Sequence, residues 1–331
     1  MSEVNVLVQK DSAQEELKSS RRRDFIEHAF HALFLLSAFI GVASVITIGF
    51  FLVKESLSAP LYTGADLARY LVEEEGQSIF GYGWLPDGVV GTIQMLTNST
   101  WAPPAMYGLA PMIAGSLAAT GLAVLMGVPV GVLTAIFLAE IAPQRVVNVM
   151  RPAIELLAGI PSVVYGFFGL VVIVPLIETV FDVPSGASIL AGSVVLSIMI
   201  LPTVIAVSET SLRAVPPQYR EGSLALGASK IYTIFNVLIP AARSGILTGV
   251  ILGMARAVGE TMAIIMVMGN TPAMPQGVLD SAITLTANIA LEMSYATGVH
   301  ASALYASGVV LLVFVMLLNG SLMYLNREKA K

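Results

Sequence analysis

Six long apolar runs constrain the fold of this 331-residue chain more than any other feature. Each run holds at least the roughly 20 residues that an α-helix needs to cross the hydrocarbon core of a bilayer. Charged residues make up only 12% of the chain, and the absence of cysteine excludes disulfides and thiolate metal sites. The sequence therefore predicts an all-α membrane protein with six transmembrane helices, at Ala29–Val53, Leu109–Ala139, Leu156–Ile177, Val183–Ser208, Ser244–Met268 and Ala301–Asn326.

The placement of lysine and arginine predicts the orientation of these helices. With the N-terminus inside, fourteen basic residues fall in inner segments, and only Lys54 and Arg69 fall outside. Because inner loops of membrane proteins are enriched in basic residues, both termini are expected to be cytoplasmic, in a multi-pass protein of the cytoplasmic (inner) membrane. The outer segment before the sixth run predicts a short re-entrant or interfacial helix at Leu285–Glu292. The resulting divisions are a cytoplasmic tail (1–28), a first transmembrane helix (29–53), an extracytoplasmic loop (54–108), a five-helix core (109–326) and a short cytoplasmic tail (327–331).

Residues 209–243, between the fourth and fifth runs, predict two short helices at the membrane surface, and we call this segment the elbow. Gly227 can adopt the positive φ that ends the first helix. Pro240 is expected to end the second helix before the fifth run begins. Apolar residues at helical spacing predict one stripe along the second helix, formed by Ile231, Ile234, Phe235 and Leu238.

The elbow resembles the cytoplasmic coupling loop of ABC importer permeases, which follows the pattern E-A-A-x3-G-x9-I-x-L-P. The match holds, conservatively at the two aliphatic positions, at Glu221, Gly227, Val237, Ile239 and Pro240. Gly222 and Ser223 stand where the family usually has two alanines. This difference lowers the helix propensity but keeps the spacing. The resemblance implies a docking site for an ATPase, and the alternative is an ordinary pair of interfacial helices.

The fifth run combines a glycine ridge with two charges near its centre. Gly245, Gly249 and Gly253 recur every four residues, so another helix, expected to belong to a partner subunit, can approach closely. Arg256 and Glu260 are i, i+4 neighbours on the same side of the predicted helix. One interpretation is an ion pair that pins helices together. The other is an anion path, because an arginine fork fits tetrahedral oxyanions.

The third run contains a predicted break. Pro161 removes a backbone hydrogen bond and opens the preceding turn, and glycines lie on both sides of it. A broken helix within a membrane is tolerated where it is buried in protein or lines a cavity. Its free N–H groups could receive an anion, which makes Pro161, Ser162 and Tyr165 candidate contacts. The alternative is a simple packing kink.

Two runs of residues resemble the permeases of phosphate ABC importers, specifically PstC-type subunits of the MetI-like family. They are Arg256-Ala-Val-Gly-Glu-Thr261 and Ile154-Glu-Leu-Leu-Ala-Gly-Ile-Pro-Ser-Val-Val-Tyr-Gly166. The resemblance implies a path for inorganic phosphate at Arg256, Glu260 and Thr261. It also implies a heterodimer with a second homologous permease subunit, two ATP-binding subunits that hold ATP and Mg, and an extracytoplasmic phosphate-binding protein.

The chain itself lacks a nucleotide-binding loop. Gly222-x4-Gly227 imitates the start of one, but Ala228 occupies the position that requires lysine. We therefore expect a translocation subunit without an ATP site, catalytic residues, a metal or a nucleic-acid partner, surrounded by membrane lipid.

Three alternative functions stay open from the sequence. The first is an ABC permease for another oxyanion, such as sulfate, molybdate or tungstate. The second is an ion-coupled secondary transporter, for which only Glu260 and Glu155 offer intramembrane acids and the elbow has no role. The third is a structural or signalling membrane subunit, which would bind the ATPase without transporting an anion.

Overall fold

The computed structural model describes residues 34–56, 95–103 and 106–328, and the chain divides into two units, 1–54 and 55–331. In the first unit the structure describes helix α1, Phe34–Ser56. The last two residues of this helix are counted with the second unit. The large apolar side chains of α1 are exposed, as lipid-facing residues would be. The predicted N-terminal tail and most of the predicted extracytoplasmic loop lie outside the described ranges.

The second unit consists of a small hairpin and nine helices in its described part. The hairpin pairs β1 (Trp101–Ala102) with β2 (Met106–Tyr107) in antiparallel register. Its helices are α2 (Ala110–Ile136, continued by a π-helical turn at Phe137–Ile141), α3 (Gln144–Gly159), α4 (Ser162–Phe181), α5 (Ile189–Arg213), α6 (Pro217–Ala225), α7 (Lys230–Gly259), α8 (Met262–Val267), α9 (Leu285–Glu292) and α10 (Gly298–Glu328).

Six of the described helices are long and apolar enough to cross a membrane, which confirms the predicted number. They are α1, α2, α4, α5, α7 and α10. The third span begins at Ser162, and not at Leu156, because the extended backbone of Pro161 ends the preceding helix. The predicted short helix at Leu285–Glu292 is present as α9 with the same bounds.

The prediction that Pro240 ends a helix is wrong, because α7 runs through it to Gly259. A π-helical turn at Ile234–Leu238 lies directly before the proline. Proline has no N–H to donate to the preceding turn. The wider π-helical turn changes the hydrogen-bond spacing at this point, so the chain continues as a helix through the proline.

Helix α5 is the centre of the bundle. The most apolar 18-residue window of α5 is 61% buried, more than in any other described span. Val204 of α5 lies between glycines of its two neighbours, because a Cβ on Gly131 of α2 or Gly253 of α7 would approach it to 2.8 or 2.9 Å. Close approach on both sides requires glycine, so α2, α5 and α7 form one tightly packed layer.

The glycine ridge of α7 therefore packs within the chain, which corrects the expectation that it faces a partner subunit. A Cβ on Gly249 would lie 3.2 Å from Val207 Cβ, and one on Gly245 would clash with Ser211 Oγ. Both contacts belong to α5. The spacing of the ridge shows that some helix approaches closely, but any helix with a complementary surface satisfies the same pattern.

A cluster of aromatic and charged side chains joins the hairpin to α9 and α10 at the end of α2 opposite the elbow. Trp101 Nε1 donates to Glu292 Oε1 at 2.9 Å, and Glu292 Oε2 lies 2.6 Å from His300 Nε2. The Trp101 ring also meets Tyr107 edge to face. These contacts attach the start of α10 to the hairpin.

Candidate anion path and coupling elbow

Two breaks in the membrane helices lie side by side. Gly166 of α4 packs directly against α8, because a Cβ on this glycine would lie 2.8 Å from Ala263 Cα. Both residues follow a helix break by only a few positions, one at Pro161 and the other at Glu260 and Thr261. The fold thus brings together two predicted parts of the path that are about 100 residues apart in sequence.

The first break separates α3 from α4. Ile160 and Pro161 are extended, with ψ of 129° and 143°, and no side chain caps the N-terminus of α4 at Ser162. The buried Tyr165 spans the break, since its hydroxyl donates to the carbonyl oxygen of Leu157 at 2.6 Å. Pro161 is exposed and Ser162 half-buried, so the start of α4 is accessible while Tyr165 holds the two helices together.

The second break separates α7 from α8 and corrects the predicted ion pair. Glu260 leaves the helix with φ −70° and ψ 132°. Its Oε1 accepts a hydrogen bond from Ala263 N at 3.2 Å, and its carbonyl accepts one from Thr286 Oγ1 at 3.0 Å. Thr261 Oγ1 donates to Gly259 O at 3.3 Å. The Glu260 carboxylate therefore caps α8, as acidic side chains commonly do at helix N-termini.

Arg256 carries no carboxylate partner in the described ranges, where the ion pairs involve other residues. Its side chain is half-buried in the last turn of α7, where a cation complements the helix dipole. A guanidinium within a membrane is unfavourable by about 2.5–3.5 kcal/mol on insertion scales. An anion beside it would offset part of that energy.

The elbow has the predicted turn. Helix α6 ends at Ala225, Gly227 has φ +84°, and Ser229 caps α7 by accepting from Tyr232 N at 3.2 Å. Glu221 and Gly227 are exposed, and so is Leu226, at 91%. The turn and its flanking side chains are therefore open to the surroundings in this structure.

The remaining elbow residues divide between the core and the surface. Ile234 and Leu238 of the predicted stripe are buried, whereas Ile231 and Phe235 are exposed. Val237 and Ile239, the two aliphatic positions of the coupling-loop pattern, are half-buried, and Pro240 is exposed. Only half of the stripe therefore serves internal packing.

Five charged residues near the elbow escaped prediction. Arg220 pairs with Glu140, and Glu209 pairs with both Arg151 and Arg213. Only the i, i+4 spacing of Glu209 and Arg213 was visible in the sequence. The partners in the other two pairs are 58 and 80 residues apart, so no local sequence pattern predicts these ion pairs.

Residues 127–331 match the family described as "Binding-protein-dependent transport system inner membrane component". The match covers more than half of the chain. The chain belongs to this family. It is an ABC importer permease subunit, a multi-pass protein of the cytoplasmic membrane, and permeases of this kind are not themselves enzymes.

Relatives of this permease include proteins with an assigned substrate. The probable ABC transporter permease protein YqgH of Bacillus subtilis is 46% identical over 72% of this chain and 79% of its own length. The phosphate transport system permease protein PstC of Mesorhizobium japonicum is 32% identical over 73% of this chain and 80% of its own length. The phosphate transport system permease protein PstC of Haemophilus influenzae is 34% identical over 71% of this chain and 82% of its own length.

Solved structures support the fold of the permease. An inward-facing structure of the MetNI methionine ABC transporter has a TM-score of 0.56 at 19% identity, covering 70% of this chain and all of that chain. A bacterial alginate ABC transporter, in complex with an alginate pentasaccharide-bound periplasmic protein, has a TM-score of 0.55 at 13% identity, covering 88% and 95%. The permease therefore has the predicted MetI-like fold.

Proposed function

We propose that this permease subunit translocates inorganic phosphate in an ATP-driven importer, with Arg256 lining the anion path. The observation that carries the proposal is a half-buried guanidinium without a carboxylate partner in the described chain, next to two helix breaks. The phosphate permeases among its relatives support the choice of anion.

The chemistry of phosphate fits this arrangement. Phosphate carries between one and two negative charges at neutral pH, and a dry passage must compensate them. A guanidinium offers a planar fork of donors that matches two phosphate oxygens. Glu260 is hydrogen-bonded to the start of α8 and forms no ion pair with Arg256 in the described chain. The exposed break at Pro161 and the hydroxyls of Ser162 and Thr261 supply polar groups beside the path.

The proposed assembly contains a second homologous permease, two ATP-binding subunits and an extracytoplasmic phosphate-binding protein. Since the α7 glycine ridge is occupied by α5, another face must meet the second permease. The exposed apolar face of α4, which includes Val164, Phe167 and Val171, is adjacent to the path and suits this contact. ATP and Mg belong to the ATP-binding subunits, which dock on the elbow from the cytoplasm, with both termini of the permease on that side.

The test is phosphate uptake by the complete complex in proteoliposomes. Arg256→Gln is expected to abolish uptake while all subunits still co-purify. Arg256→Lys keeps the charge but loses the fork, so partial uptake is expected. Arg145→Gln is the matched control, because this arginine is exposed on α3 and away from the breaks. Normal uptake by the Arg256→Gln complex would refute the assignment of the path.

The same assay separates the alternatives. Sulfate, molybdate or tungstate uptake that phosphate does not compete with would identify another oxyanion as the substrate. Uptake by the permease without the ATP-binding subunits would identify a secondary transporter. An assembled complex that transports no oxyanion would identify a structural or signalling subunit.

A further inference from the structure

Two arginines, one at the end of α5 and one within α6, contact the end of α2. Arg213, the last residue of α5, donates from Nη2 to Leu138 O at 2.8 Å. Arg220, within α6, pairs with the Glu140 carboxylate. Leu138 and Glu140 both belong to the π-helical turn that ends α2. Motion of α6 can therefore reach α2 through Arg220, and motion of the end of α5 can reach it through Arg213.

Polar contacts add to an apolar cluster that joins Ile136 of α2 to Ile234 and Leu238 of the elbow. A cavity of about 300 Å³ lies between the elbow and the end of α2, lined by residues that include Glu140, Arg220, Leu224 and Lys230. The Glu140 side chain is only 3% exposed, although Arg220 is 44% exposed. A buried carboxylate depends strongly on its partner, because an uncompensated buried charge is unfavourable. The Arg220–Glu140 pair thus lies at the wall of this cavity, beside the apolar contacts of Ile234 and Leu238.

A second branch of contacts leads from the elbow to the candidate path. Glu209 accepts from Arg213 Nε at 2.8 Å and also from Arg151 of α3. Helix α3 runs from there to the first break, where Leu157 O accepts from Tyr165. The contacts are continuous from the elbow to the break.

We infer that these charged residues form a clamp that transmits motion of the elbow to α2 and α3, and so couples ATP hydrolysis to opening of the path. The clamp consists of Glu140, Arg151, Glu209, Arg213 and Arg220. They are positioning residues, since they touch neither the anion nor the nucleotide in this arrangement. The inference rests on the proposed function, because it requires an ATPase docked on the elbow.

The experiment compares phosphate uptake per ATP hydrolysed in proteoliposomes that contain the complete complex. The main variant is the double change Glu140→Gln with Arg220→Gln, which removes both charges and leaves no unpaired charge buried. It is expected to lower the uptake-to-hydrolysis ratio by roughly twofold to thirtyfold, the range for residues that couple two sites. Subunit co-purification and basal ATP hydrolysis are expected to match the wild type.

A charge exchange and a control variant complete the design. The exchanged pair, Glu140→Arg with Arg220→Glu, is expected to recover most of the coupling, because it restores an ion pair at the same place. Arg145→Gln removes an exposed arginine outside the clamp and is expected to leave the ratio unchanged. Arg151→Gln tests the second branch and is expected to lower the ratio as well.

Two results would overturn the clamp. One is an unchanged ratio in the double variant and in Arg151→Gln. The other is a loss of uptake that parallels a loss of co-purified ATP-binding subunits, which would assign these residues to assembly alone. The proposed function fails separately, for example if the wild-type complex itself shows no ATP-dependent phosphate uptake.

Discussion

Substitution of Gly227 tests the elbow with little steric interference. Its φ is +84°, and a Cβ added there would meet no heavy atom within 4 Å. Any loss therefore comes from the backbone conformation and not from a clash. Side chains in the left-handed region are disfavoured by about 1–2 kcal/mol, which lowers the population of the turn by a factor of roughly 5 to 30.

A graded series makes this prediction quantitative. Asparagine tolerates a positive φ better than alanine, and the β-branched valine tolerates it least. Co-purification of the ATP-binding subunits, and phosphate uptake by the complex, are therefore expected to fall in the order Gly, Asn, Ala and Val at position 227. Membrane insertion, measured by the amount of folded permease in detergent, is expected to stay the same.

Gly222 provides the matched control five residues away. It lies within α6 at an ordinary helical φ, and a Cβ there also meets nothing within 4 Å. Gly222→Ala is expected to stabilise α6 by about 0.5–1 kcal/mol and to leave coupling intact. Wild-type coupling in Gly227→Val, or equal damage from Gly222→Ala, would show that the positive-φ turn does not seat the ATPase.

Three further predictions concern packing, capping and orientation. In thermal unfolding, Gly245→Ala is expected to lower the unfolding free energy by about 1–3 kcal/mol through overpacking against α5. Gly121→Ala, within α2, meets nothing within 4 Å and is expected not to lower it, since alanine is the better helix former. Glu260→Gln keeps an oxygen that can cap α8, so it should retain more uptake than Glu260→Leu, which loses about 1 kcal/mol of capping; equal uptake would refute the cap. Because the chain has no cysteine, one introduced at Ser78 should react with impermeant maleimide in intact cells and one at Ser229 should not, and the reverse would overturn the orientation.

Features that depend on a local stretch of chain were predictable from the sequence. The number of spans follows from the length of each apolar run, because a bilayer sets one threshold for all of them. The turn at Gly227 and the break at Pro161 were predictable from the backbone chemistry of glycine and proline. The same chemistry did not decide the outcome at Pro240, where the helix continues. Helix α9 was predicted with the same bounds as the structure has.

Only the tertiary structure decided which partner each of these features meets. Helical spacing places Gly249 on one face, but packing against Val207 made that face internal. Glu260 stands one turn from Arg256 in sequence. Its backbone is nevertheless extended, and its carboxylate accepts a hydrogen bond from Ala263 N at the start of α8. Glu140 and Arg220 pair across 80 residues. Periodicity along a helix specifies a direction, whereas the neighbour in that direction depends on how the whole chain packs.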